Sequence, residues 1–407
     1  MNAHRQQHPT NWLRNITLFL SSQTITLFGS SLVQYAMLWH VTLTTDSGTM
    51  MTLYIICGFI PTFLLSPVAG VWADRYNRKV LIMLSDGLIA FATLILAILF
   101  FLGSGSIWLL YLMAAIRAFG AGIQTPAIGA ILPQIVPEEM LTKINGINGT
   151  IQAMVMFISP VVSAALLDIA TMEMIFMIDV VTAALAIAVL LILKVPTHYK
   201  AAAEEMNSYF TDFMQGISYI QHHDYLKVFF FFMSVLFLLI APASFLTPLQ
   251  VTRTYGEELW RLSVIEIAFS IGMIAGGALI AVWGGFKNKI ITIASASMVM
   301  GLCTIALGVL PNFWYYLFSF GVFGVALPVF NTPATVMLQE KVTENYLGRV
   351  FGIMSMISTS MMPLGMLVFG PLADMLKIEW ILVGTGILIS ILAIFLIQNK
   401  TLIKAGK

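Results

Sequence analysis

Twelve stretches of predominantly apolar residues run along the chain, separated by short polar or Gly/Pro breaks. A helix needs about 20 such residues to cross the hydrocarbon core of a bilayer. The pattern predicts spans at approximately 14–42, 49–73, 80–102, 107–132, 142–167, 173–194, 226–251, 259–284, 289–310, 313–338, 346–372 and 379–398. The longest polar interruption, 196–224, carries Tyr209, Phe210, Phe213, Ile217 and Ile220 at roughly helical spacing among its polar residues. It is expected to be a cytoplasmic tether with an interfacial helix rather than a domain, since 29 residues are too few for one. The expected organisation is an N-terminal six-helix half over 1–195, a linker over 196–225 and a C-terminal half over 226–407.

Composition agrees. Of the 407 residues, 59% are hydrophobic and 10% charged, and the mean hydropathy is +0.92, whereas soluble chains run near a quarter charged. Lys plus Arg number 20 and Asp plus Glu 19, for a net charge of +1. That balance gives no basic footprint for nucleic acid. The two cysteines, Cys57 and Cys303, sit in apolar runs and read as small core residues rather than a disulfide or metal site. The apolar stretch from Trp12 to Trp39 outruns a signal-peptide core and lacks a small-residue cleavage site after it, so it reads as a retained span.

Orientation follows from the cations, which concentrate in short cytoplasmic loops. Sixteen of the 20 fall on one side, including Arg75, Arg78, Lys79, Lys287, Lys289 and Arg349, while the other side holds Arg253, Arg261 and Lys377. Arg117 lies within a span. Both termini are therefore expected in the cytoplasm.

The second half echoes the first. Val136, Glu138, Leu141, Lys143 and Gly146 recur as Val342, Glu344, Leu347, Arg349 and Gly352 at an offset of 206, which also relates Asp168 to Asp374. Thr125-Pro126-Ala127 recurs as Thr332-Pro333-Ala334 at 207, and Val71, Trp72, Asn77 and Arg78 align with Val282, Trp283, Asn288 and Lys289 at 211. An offset of six spans predicts a parallel repeat about an axis along the membrane normal.

The loop after the second span reads Gly70, Val71, Trp72, Ala73, Asp74, Arg75, Tyr76, Asn77, Arg78, Lys79. Asp74 can meet the positive end of a helix while Arg75 and Arg78 reach carboxylates or carbonyls, a latch between the halves. Asp86, near the cytoplasmic end of the third span, is expected to join it. The loop resembles the Gly-x-x-x-Asp-Arg-x-Gly-Arg-Lys signature of the major facilitator superfamily, with Asn77 where that family usually has Gly. Asn also tolerates a left-handed turn, so Asn77 is expected at positive φ. Arg117 with Gly120 and Gly122, the Thr125-Pro126-Ala127 turn, Pro137-Glu138-Glu139 and the 346–351 segment are similar to the bacterial macrolide-efflux branch of drug:proton antiporters. Ser159-Pro160-Val161-Val162-Ser163-Ala164 stands where many antiporters have Gly-Pro-x-x-Gly-Gly, keeping small residues but not the glycines. The resemblance implies an all-α membrane protein of two six-helix halves around a central cavity. It also implies export of a small amphipathic substrate in exchange for protons, driven by the proton gradient, with no cofactor. The chain would be a monomer among lipid in the bacterial cytoplasmic membrane.

Polar residues inside the spans form stripes. Gln23, Thr26, Ser30 and Gln34 fall within about 80° of arc. Asn145, Asn148, Gln152 and Ser159 share a face of the fifth span. Glu266, Ser270, Met273 and Gly277 share one of the eighth, and Ser355, Ser358, Thr359 and Met362 one of the eleventh. These faces are expected to line the cavity, the alternative for the hydroxyls being simple helix packing. Candidate substrate contacts are Gln23, Gln34, Gln124, Asn148, Gln152, Met273, Asn331 and Met362. Arg117, near the midplane, requires a partner or water, and coupling and structural roles stay open for it. Asp179 is expected to hydrogen-bond structurally, with proton coupling as its second role. Glu266, buried and otherwise isolated, has the character of a proton carrier. No nucleotide loop, His-Glu-x-x-His or Gly-x-Ser-x-Gly occurs, so an enzyme is not expected. Export of a siderophore, facilitated uptake and a non-transporting sensor stay open as alternatives.

Overall fold

The computed structural model describes residues 12–193, 195, 206–256 and 258–406. The described residues form fifteen helices: α1 (Trp12–Thr45), α2 (Gly48–Arg75), α3 (Arg78–Phe101), α4 (Ile107–Ile135), α5 (Glu138–Ile169), α6 (Met172–Ile192), α7 (Met206–Gln221), α8 (Asp224–Phe245), α9 (Thr247–Tyr255), α10 (Leu259–Trp283), α11 (Lys289–Val309), α12 (Phe313–Lys341), α13 (Glu344–Met375), α14 (Ile378–Gln398) and α15 (Lys400–Ala405). Among them are twelve long, apolar segments able to cross a bilayer, α8 and α9 together making one. The predicted seventh span is thus broken at Leu246, because Pro248 in the first turn of α9 has no N–H to continue the ladder. Large side chains such as Leu64, Phe91 and Val282 lie exposed, Val282 at 91%. Water would penalise that surface and lipid does not.

The repeat is visible in element boundaries. α4 and α12, α5 and α13, and α6 and α14 start and end at the same offset of 206. α3 and α11 begin at an offset of 211, and both are capped by an asparagine. The Asn77 side-chain oxygen accepts N–H groups of Lys79 at 3.0 Å and Val80 at 3.4 Å, and that of Asn288 accepts Ile290 N–H at 3.0 Å. Asn77 therefore has φ −64° and ψ 112°, not the positive φ expected. An N-cap needs extended backbone to turn its side chain onto the first turn.

The chain divides into two compact units, one of residues 1–39 and 54–206, the other of 40–53 and 207–407. In the first unit, α3 lies between α4 and α6, and one core cluster gathers Phe19, Ile82, Ile131 and Leu190. Ser163 of α5, close to Pro160, donates to the Leu32 carbonyl of α1 at 3.1 Å.

In the second unit, α10 packs on α12, α11 on α14 and α12, and α8 on α13. Glycines permit these approaches: a Cβ on Gly272 would lie 2.1 Å from the Gly321 carbonyl oxygen, and one on Gly276 2.2 Å from that of Val325. The turn between α1 and α2 belongs here. Asp374 accepts N–H groups of Gly48 at 2.7 Å and Thr49 at 2.9 Å, and the Ser47 hydroxyl at 2.8 Å. Arg253 bridges Asp46 at 2.9 Å and the Ala373 carbonyl at 2.8 Å. The part of the linker over 196–205 lies outside the described residues. Its helix, α7, docks on α13: Tyr219 stacks on Tyr346 at 4.5 Å, and Thr343 N–H donates to the Tyr219 hydroxyl at 3.3 Å.

Candidate functional site

The first unit buries a polar cluster in two storeys. In one, Arg117 of α4 pairs with Asp179 of α6, and the Arg117 guanidinium also donates to the Ser30 carbonyl at 2.8 Å. Asp179 accepts the hydroxyls of Ser30 at 3.1 Å and Thr93 at 3.2 Å. Arg117 is 9% exposed and Asp179 1%. Such a pair survives burial only because its remaining polar atoms are also bonded.

Seven residues back along α3, about 10 Å at the helical rise, lies the other storey. Asp86 Oδ1 accepts the Thr26 hydroxyl at 3.0 Å and the Gln124 amide at 2.8 Å. Asp86 Oδ2 is buried without a partner, as is Nε2 of Gln23, one turn from Thr26 on α1. Three helices thread both levels: α1 with Thr26 and Ser30, α3 with Asp86 and Thr93, α4 with Gln124 and Arg117.

This arrangement corrects three expectations. Asp86 does not join the loop cations; burial turns it to α1 and α4. The α1 stripe is not a uniform cavity lining, since Gln23 and Thr26 are buried and Thr26 and Ser30 serve the carboxylates, leaving Gln34 exposed. Gln124 has its amide nitrogen committed to Asp86. In the loop itself, Arg78 donates to the carbonyls of Ala73 and Ala130, both at 2.8 Å. Lys79 donates to those of Leu191 at 3.0 Å and Leu193 at 2.7 Å, closing the C-terminal end of α6. Arg75 is exposed, Gly70 lies within α2, and the side chain of Asp74 lies outside those described. Elsewhere in the first unit, Asn148 is half-buried and Gln152 exposed. Thr93 escaped the sequence reading because a lone threonine in an apolar run carries no signal.

The second unit holds Glu266 on α10. It is half-buried, and among the described residues no hydrogen bond or ion pair reaches it. Gly272 and Gly276 face α12, whereas Gly277 meets nothing within 4 Å and Met273 is 42% exposed. The Glu266, Ser270, Met273, Gly277 face is thus the unpacked one. Asn331 is exposed, and Met362 packs partly against the core. Ser358 and Thr359 donate to the Ser355 carbonyl of their own helix at 2.9 and 2.6 Å.

A duplicated set of twelve bilayer-length helices with ionisable groups held inside the spans defines a polytopic membrane protein. Residues 18–366 match the model of the Major Facilitator Superfamily, and the chain belongs to that family. It is 28% identical to the Macrolide efflux protein A of Streptococcus pyogenes, over 94% of this chain and 95% of that one. It is 22% identical to the Staphyloferrin A transporter of Staphylococcus aureus (strain NCTC 8325 / PS 47), over 95% and 97%. Among solved structures, a bacterial homologue of the human lysosomal transporter Spinster superposes with a TM-score of 0.71 at 14% identity, covering 98% of this chain and 99% of that one.

Proposed function

We propose that this protein exports an amphipathic drug of the macrolide kind from a bacterial cell in exchange for protons. The observation that carries the substrate class is the end-to-end similarity to a macrolide efflux protein. The chain would sit in the cytoplasmic membrane with both termini inside, as the placement of sixteen of its 20 cations favours. It would work as a monomer, surrounded by lipid, with the proton gradient as its only energy source and no bound cofactor.

Glu266 is the group we assign to proton coupling. A carboxyl without a protein partner, on the unpacked face of its helix, can exchange a proton for a cationic amphiphile at little structural cost. Met273 beside it gives the face a soft, adaptable wall.

The test is a drug-susceptibility profile in an efflux-deficient host with and without the gene, then a protonophore on any hit. Export predicts reduced macrolide accumulation that the protonophore reverses. Equal accumulation with and without the gene refutes the macrolide reading. Transport of staphyloferrin A instead would favour the substrate named for the staphylococcal relative. Glu266→Gln at wild-type expression should abolish uphill export while sparing drug binding; unchanged export moves the proton elsewhere.

A further inference from the structure

We infer that Asp86 is a second proton-binding site, holding a proton on Oδ2 in the described conformation. The two storeys of the buried cluster contain one cation and two carboxylates. Arg117 and Asp179 satisfy each other, so an ionised Asp86 would leave the cluster with a net negative charge, away from water, on a residue 3% exposed. Buried net charge is among the most costly arrangements a protein can hold, and a proton removes it. The hydrogen bonds fit that state. Both donors in reach, the Thr26 hydroxyl and the Gln124 amide, converge on Oδ1, which is how a carboxylic acid behaves when Oδ1 is its carbonyl and Oδ2 its hydroxyl.

The surroundings favour a proton over a metal ion. Oδ1 is occupied by donors, which leaves a single oxygen where a cation would want several. Among the described residues no group of three metal-ligating side chains occurs. The charged group in electrostatic reach is Asp179 on α6, itself paired with Arg117 on α4. The neutral polar groups on Asp86 are the Thr26 hydroxyl from α1 and the Gln124 amide from α4.

The second unit supplies an internal control. At the repeat offsets, Asp86 becomes Ser297, Arg117 becomes Phe323 and Asp179 becomes Thr385. Ser297 is fully buried and donates to its own helix at the Ile293 carbonyl, 2.8 Å away, and Thr385 likewise to Ile381 at 2.9 Å. Phe323 stacks with Phe320 in the core. The same helices therefore pack without any charge, so the architecture does not require the carboxyl of Asp86.

This inference rests on the transport reading only for the use made of the proton; the occupancy of Asp86 can be measured without drug. Infrared spectroscopy of the full chain in detergent, compared in H2O and D2O, separates the carbonyl stretch of a protonated carboxyl from carboxylate bands. At neutral pH, where an exposed aspartate is ionised, the wild type should show an acid band. Asp86→Asn should lose a component that Glu266→Gln retains. Asp86→Ser, the residue of the second unit, repeats the test in a background the fold tolerates there. Loss of carboxylate intensity instead of acid intensity in the Asp86 variants would overturn the assignment, and so would an acid band abolished by Glu266→Gln alone. A failed drug profile would leave the result standing.

Discussion

Asp374 accepts the backbone N–H of Gly48 at 2.7 Å, so the first turn of α2 is capped by a residue from the end of α13. Ser47 and Thr49 complete the cap, and Arg253 holds Asp374 and Asp46 together, at 3.5 and 2.9 Å. Asp374→Ala removes the acceptor and should cost about 1–2 kcal/mol in the docking of this turn. Hydrogen exchange should rise across 46–52 and stay unchanged in α11 and α14. Equal protection of 46–52 in the variant would show that the cap is incidental.

The Arg117–Asp179 pair should behave asymmetrically. Arg117→Ala strands a carboxylate that is 1% exposed and should cost about 3–5 kcal/mol. Arg117→Phe combined with Asp179→Thr copies the second unit and should recover most of that loss. Thermal unfolding of the singles and the double in detergent measures the coupling. A double variant as unstable as the sum of its singles would contradict this account.

Asn77 gives a ranking. As an N-cap with extended backbone, Asn77→Ala should lose about 1 kcal/mol and Asn77→Gly only a few tenths. Had the residue been in a left-handed turn, glycine would stabilise the loop instead. Melting temperatures of the three proteins decide between the orders.

Adjacent glycines on α10 provide a matched pair. Gly276→Leu pushes into the Val325 carbonyl, whereas a side chain at Gly277 meets open space within 4 Å. The first should lose monodisperse folded protein in size-exclusion chromatography and the second should not. Comparable yields for both would mean that the α10–α12 contact can yield.

Helices and their repeat were legible because bilayer thickness and internal duplication each impress a long-range period on the residues; Pro137-Glu138 and Thr343-Glu344 start α5 and α13 at one offset. The orientation of polar stripes was less so. Gln23, Thr26 and Ser30 share an arc with Gln34, but periodicity states only that a face is polar, not whether water or a buried carboxylate meets it. Asp86 was misassigned for a related reason. Its proximity in sequence to Arg75 and Arg78 suggested a charge pair, while its real partners lie 60 residues upstream and 38 downstream. Sequence also proposed that Arg117 needs a partner and separately gave Asp179 a structural hydrogen-bonding role; only the packing of α4 and α6 on α3 joins the two.

The glycine seams of the second unit carry a mechanical consequence. Where Gly272, Gly276 and Gly324 set backbone against backbone, the helices have no side-chain layer to slide on, so the block resists shear as a bonded laminate does. Load applied to such a block is passed on rather than absorbed. The division between the compact units falls within α1 and α2, near residues 39 and 54, rather than in a loop.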